Sequence, residues 1–128
     1  MYQKIKRLTM VTGIGIDMIE VDRVKDKIER NAGFRELVFS EREIIYCESK
    51  AAKYEHYAAR FAAKEAFLKA IGTGWTNKIA FHEIEILNDE NGKPLLSINT
   101  ETDIPYNKIL VSLSHLKSMA SAVVIIEN

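Results

Sequence analysis

The sequence predicts an α+β fold in which an antiparallel sheet packs on one long central helix. Three observations predict it. After one opening strand, helical periodicity is confined to the first 72 residues, and alternating or continuous apolar runs broken by turn residues fill most of the rest. Between them, the segment 57–71 is apolar nearly all round, as a buried helix must be. A chain of 128 residues with no internal repeat, low-complexity tract or Pro/Gly/Ser-rich linker is expected to form a single domain over 1–128.

Val11 to Met18 reads as a strand whose period of two puts Thr12, Ile14, Ile16 and Met18 on one face and Gly13, Gly15 and Asp17 on the other. Two bare glycines leading to a carboxylate mark a place where something approaches the backbone closely. Glu20 to Asn31 carries Val21, Val24 and Ile28 at helical spacing, with Gly33 just beyond as a stop. Ser40-Glu41-Arg42-Glu43 is a capping box, so a second helix starts at Ser40.

The third helix, Tyr57 to Ile71, holds eleven apolar residues and only Arg60, Lys64, Glu65 and Lys69 as charges, with Gly72 to cap its end. Ile79 to Leu87 and Leu95 to Ile98 then flank a hairpin turn at 88–92, where Asn91-Gly92 is the turn signal. Ile109 to His115 alternates again, and Ala120 to Glu127 is a nearly continuous apolar strand after a turn at 116–118.

With 18 Lys and Arg against 18 Asp and Glu, the chain has no net basic excess, which excludes a surface given over to nucleic acid. At 47% hydrophobic and 28% charged it is neither a disordered tail nor a mostly membrane-embedded chain. The charge is unevenly placed: residues 57–82 sum to +3 and residues 83–107 to −5. The single Cys47 can form no internal disulfide and sits in an apolar helical stretch, which makes the reducing cytoplasm the expected compartment. The start of the chain imitates a signal peptide until Asp17 interrupts it, so residues 1–9 are expected to be an extension and Met10 the start of the folded part.

Candidate chemistry centres on two carboxylates. Asp17 ends a strand on its glycine face, and Glu65 sits in the apolar stripe formed by Ala58, Phe61, Ala62 and Leu68. A carboxylate on such a stripe needs a partner. Lys69, four residues on, is one; the other is a Mg²⁺ ion shared with Asp17, with Lys69 left to meet a phosphate. Gly72-Thr73-Gly74 reads either as a helix stop or as an anion-binding turn. His115 ends the Ile109, Val111, Leu113 face and reads as a structural histidine or as a general base at its rim. His56 and His82 have no neighbours in sequence that recommend them. Zincin, Rossmann, P-loop and EF-hand patterns are each incomplete.

Taken together, Gly13-Ile14-Gly15-Ile16-Asp17, Arg60-Phe61-Ala62-Ala63-Lys64-Glu65-Ala66-Phe67 with Lys69 and Gly72-Thr73-Gly74, Asn91-Gly92-Lys93-Pro94, and Ser112-Leu113-Ser114-His115 resemble the holo-[acyl-carrier-protein] synthases, the small bacterial 4′-phosphopantetheinyl transferases. The motifs fall in order across about residues 10–127. The resemblance implies a 4′-phosphopantetheinyl transferase-like fold and transfer of the 4′-phosphopantetheine arm of coenzyme A to a serine of apo acyl carrier protein, with release of adenosine 3′,5′-bisphosphate. It implies Mg²⁺ held by Asp17 and Glu65, and Glu65, Lys69 and His115 as the catalytic set. Arg60, Lys64, Lys69, Gly72, Thr73, Gly74 and His115 are implied to bind coenzyme A, and a homotrimer with sites between subunits is implied as well. Arg23 and Arg30, seven apart on the first helix, are the residues expected to meet the acidic carrier protein.

Overall fold

The computed structural model describes residues 8–72 and 79–128. Strand β1 (Val11–Glu20) leads into α1 (Val21–Arg30), then α2 (Phe34–Val38), α3 (Glu41–Glu48) and the long α4 (Lys53–Ile71). A 3₁₀ turn at Phe81–Glu83 precedes β2 (Ile84–Asn88) and β3 (Pro94–Ile98), and β4 (Lys108–His115) and β5 (Met119–Glu127) close the chain. The expected α+β class is the observed one. The expected sheet is two sheets: β1, β5 and β4 form an antiparallel three-stranded sheet in that order, and β2 and β3 form a separate antiparallel hairpin.

The three-stranded sheet lays one face on α4. Ala120, Ala122, Val124 and Ile126 of β5 are buried there, at alternate positions of a central strand. On the edge strand β1 the glycine face turns inward. A Cβ on Gly15 would stand 1.9 Å from the Ala66 carbonyl oxygen, and one on Gly13 would stand 2.0 Å from that of Ala70. The strand and helix therefore touch backbone to backbone, which only glycine on the strand and alanine on the helix allow. The outward face of β1 stays bare, with Ile14, Ile16 and Met18 each more than 60% exposed.

The capping box at Ser40 forms as the sequence predicts: Ser40 Oγ accepts from the Glu43 amide at 3.2 Å, and Glu43 Oε1 accepts from the Ser40 amide at 2.9 Å. Gly72 ends α4 with a left-handed φ of 77°. Two elements differ from expectation. Helix α4 starts at Lys53 rather than Tyr57, because a helix with a buried face can extend through a polar first turn. The expected strand from Ile79 begins only at Ile84, because Glu83 folds back to accept from the Ala80 amide at 2.8 Å and winds the chain into a 3₁₀ turn. The short α2 was not signalled by periodicity, being too brief to show one. Burial pushes the Cys47 thiol up to about 12, as befits a core cysteine. Among the described residues no helix is long and apolar enough to cross a membrane.

Gly15→Ala adds one methyl with only rigid backbone to meet it. It is expected to lower stability by at least about 2 kcal/mol in urea unfolding, more than the same exchange at exposed Gly33 would through packing.

Candidate active site

Because β1 lies directly on α4, Asp17 on its inward face arrives beside the polar end of the helix. It stands two residues before Ile19 and short of the expected strand end, because β1 runs on to Glu20. Lys69 Nζ donates to Asp17 Oδ1 at 2.9 Å and to the Ile16 carbonyl at 3.0 Å. The expected Glu65–Lys69 ion pair is replaced by this cross-element one, and among the described residues no ion pair involves Glu65. Glu65 is half-buried. Its burial, and then the Asp17 charge, raise its carboxyl above the usual range, while Lys69 and Lys27 pull it back. Two carboxylates on different elements thus feel each other's charge, with a half-exposed ammonium at the edge. Such an all-oxygen pair is a donor set for a hard divalent cation.

His115 stands elsewhere. It ends β4, where its Nδ1 donates to Glu55 Oε1 at 2.8 Å, and its ring packs edge-on against His56 with centroids 5.1 Å apart. Glu55 and Glu65 lie ten residues apart on α4, about 15 Å of helix rise, so a single chain does not bring His115 to the carboxylate pair. A cavity of about 170 Å³ opens beside His115, bounded by Arg60, His56, Tyr46, Asn88 and Pro94. Sequence reasoning passed over Glu55, His56 and Tyr46. No spacing rule links them to His115, which reaches them only once the sheet has folded onto the helix.

The charges of the third helix divide by burial. Arg60 is almost wholly buried, donates to the Ile86 carbonyl at 3.1 Å and to Asn88 Oδ1 at 2.6 Å, and lies over the Tyr46 ring at 4.3 Å. It still borders the cavity. Lys64 is fully buried: its ammonium donates to Glu43 Oε1 at 2.8 Å, to the Phe81 carbonyl at 2.9 Å and to the Ile84 carbonyl. With all three protons committed, Lys64 has none to offer a ligand, and the expectation that it meets coenzyme A gives way to a structural role. Gly72 lies at the helix end, Thr73 and Gly74 lie outside the described residues, and Arg23 and Arg30 are both exposed on α1.

The family model of the 4′-phosphopantetheinyl transferase superfamily matches residues 13–124, a span that includes Asp17, Arg60, Glu65, Lys69 and His115. A curated holo-[acyl-carrier-protein] synthase of Cytophaga hutchinsonii is 47% identical over 125 residues, covering 91% of this chain and 97% of that protein. The chain belongs to the 4′-phosphopantetheinyl transferase superfamily. Within it, the chain is an enzyme of the holo-[acyl-carrier-protein] synthase family. A second relative from Ruminiclostridium cellulolyticum is 51% identical over 121 residues, covering 88% of this chain and 90% of that one.

Solved synthases share the fold. A Bacillus anthracis holo-(acyl-carrier-protein) synthase in complex with CoA (3′,5′-ADP) superposes with a TM-score of 0.79 at 38% identity, over 93% of this chain and 98% of that one. The Helicobacter pylori synthase in complex with coenzyme A gives 0.79 at 30% identity, over 88% and 98%.

In this synthase-family chain the Lys64–Glu43 pair ties α4, α3 and β2 together, since Glu43 Oε2 also accepts from the Ile86 amide at 2.8 Å. Lys64→Met is expected to cost about 3–5 kcal/mol in denaturant unfolding, because it strands a buried carboxylate. Adding Glu43→Gln should recover part of that loss.

Proposed function

We propose that the chain transfers the 4′-phosphopantetheine group of coenzyme A to a serine of apo acyl carrier protein, releasing adenosine 3′,5′-bisphosphate, with Mg²⁺ as its cofactor and the cytoplasm as its compartment. The observation that carries this reading is the convergence of Asp17, Glu65 and Lys69 where β1 meets α4, in a chain whose solved relatives hold coenzyme A.

The carboxylate pair fits Mg²⁺, which takes oxygen ligands and is typically held by one or two carboxylates plus substrate phosphates. Asp17 and Glu65 would hold it, and when bound it supplies charge neutralisation to the pyrophosphate. In the reaction, the serine oxygen bonds to the phosphorus that bears the pantetheine arm, the pyrophosphate P–O bond breaks, and adenosine 3′,5′-bisphosphate departs. Lys69 presents a half-exposed point charge to the phosphates from one turn below Glu65. Glu65 and His115 are this chain's two candidates to take the serine proton. Arg60 and His115, which border the cavity, Gly72 at the end of α4, and Thr73 and Gly74, which follow it in the sequence, are proposed to bind coenzyme A. Lys64 is left out of that set for the reason given above.

A homotrimer is proposed on two grounds. The outer face of β1 leaves Ile14, Ile16 and Met18 exposed on the sheet. Glu55, which holds His115, and Glu65 lie ten residues apart on α4, about 15 Å of helix rise, so a site shared between chains would let His115 of one serve the carboxylates of the next. Residues 1–9 are proposed to be an extension outside the catalytic domain, since the family match begins at residue 13. Arg23 and Arg30, exposed on α1, are proposed to face the acidic carrier.

Incubation with coenzyme A, Mg²⁺ and an apo carrier protein should raise the carrier's mass by one phosphopantetheine group, and chelation should stop it. Asp17→Asn and Glu65→Gln are each expected to slow transfer at least about a hundredfold. Wild-type rates in both variants would refute the assignment, and ligand binding without transfer would reduce the chain to a binding module. In the same assay, Arg23→Glu with Arg30→Glu should raise KM for the carrier about tenfold while leaving KM for coenzyme A within about twofold.

A further inference from the structure

We infer that Glu55 is the positioning residue of His115, fixing its imidazole with Nδ1–H tied to α4 so that Nε2 is the nitrogen presented to a ligand in the adjoining cavity. This rests on reading that cavity as part of the coenzyme A site. A carboxylate only accepts, so the 2.8 Å contact between Glu55 Oε1 and His115 Nδ1 places the proton on Nδ1. The state of one ring nitrogen is set by the bond the other makes, so Nε2 is left to ligand.

The surroundings make this more than a surface ion pair. The side chains of His115 and Glu55 are only 31% and 22% exposed. The imidazole is held on a second side by the His56 ring, which Tyr46 backs in turn with centroids 5.6 Å apart. Arg60 is fixed across the cavity by its bonds to Ile86 and Asn88. In this cavity the His115 ring is thus held on one side by Glu55 and on another by His56, with Arg60 fixed across from it. Glu55 sits in the first turn of α4, where a carboxylate also suits the positive end of the helix. It borders His115 without lining the cavity, as a residue that acts through another should.

Side-chain nitrogen NMR of the ligand-free protein would read the His115 tautomer directly. The Nδ1–H form is expected in wild type and in Glu55→Gln, whose amide oxygen can still accept, and its loss is expected in Glu55→Ala. In the transfer assay Glu55→Ala should raise KM for coenzyme A about five- to tenfold, the worth of about one ordinary hydrogen bond. Glu55→Gln should restore most of that. In a His115→Ala background, Glu55→Ala should add nothing. An unchanged tautomer in Glu55→Ala, or an effect that persists without His115, would each overturn the assignment. If the wild-type chain transfers nothing, the proposed function fails, and the tautomer measurement still decides whether Glu55 positions His115.

Discussion

The contact of β1 with α4 is the constraint on which the rest of the structure depends. Gly13 and Gly15 let the strand descend until its backbone meets the carbonyls of Ala70 and Ala66, closer than any side chain would permit. That approach buries nothing large. Its consequence is positional: Asp17, two residues beyond Gly15 on the same face, comes within hydrogen-bonding distance of Lys69 and within the electrostatic reach of Glu65. A strand kept off the helix by one methyl would carry Asp17 away with it.

A second constraint orders the other side of α4. Lys64 and Glu43 form a fully buried ion pair whose other hydrogen bonds run to the Ser40 amide and to the backbone of the segment 81–86. Burial pulls the Lys64 ammonium down and Glu43 holds it up, so neither group is tolerable without the other. The pair also holds the 3₁₀ turn before β2 in place, since the carbonyls of Phe81 and Ile84 both accept from the ammonium. Lys64 is thereby committed to holding the fold, and among the charges of α4 it is Lys69, half-exposed, and Glu65, half-buried, that are left for chemistry.

The neutral total charge resolves into the same division. Lys64 and Arg60, which inflate the basic count of the third helix, are spent inside the protein, whereas Lys69 is half-exposed beside the carboxylates. The acids of the hairpin region are likewise not all surface charges. Glu85 is buried and accepts from Ser40 at 2.5 Å, Arg42 at 2.5 Å and Asn99 at 2.8 Å, which lowers its carboxyl against the cost of burial. A count along the chain cannot separate a charge that pins two elements from one that meets solvent.

The sequence by itself determined the class of fold, most element positions, the capping box at Ser40, the end of α4 at Gly72 and the two carboxylates as the residues needing a partner. These are local matters, decided by periodicity, by caps and by the cost of placing a charge on an apolar stripe. Spacing alone left two partners for Glu65, Lys69 and an ion shared with Asp17. Only the tertiary structure turned Lys69 to Asp17, buried Lys64, split the sheet in two and set His115 beside Glu55 and His56, about 15 Å along the helix from Glu65. Each of those outcomes joins residues distant in the chain, and long-range packing decides between partners that local spacing makes equally available.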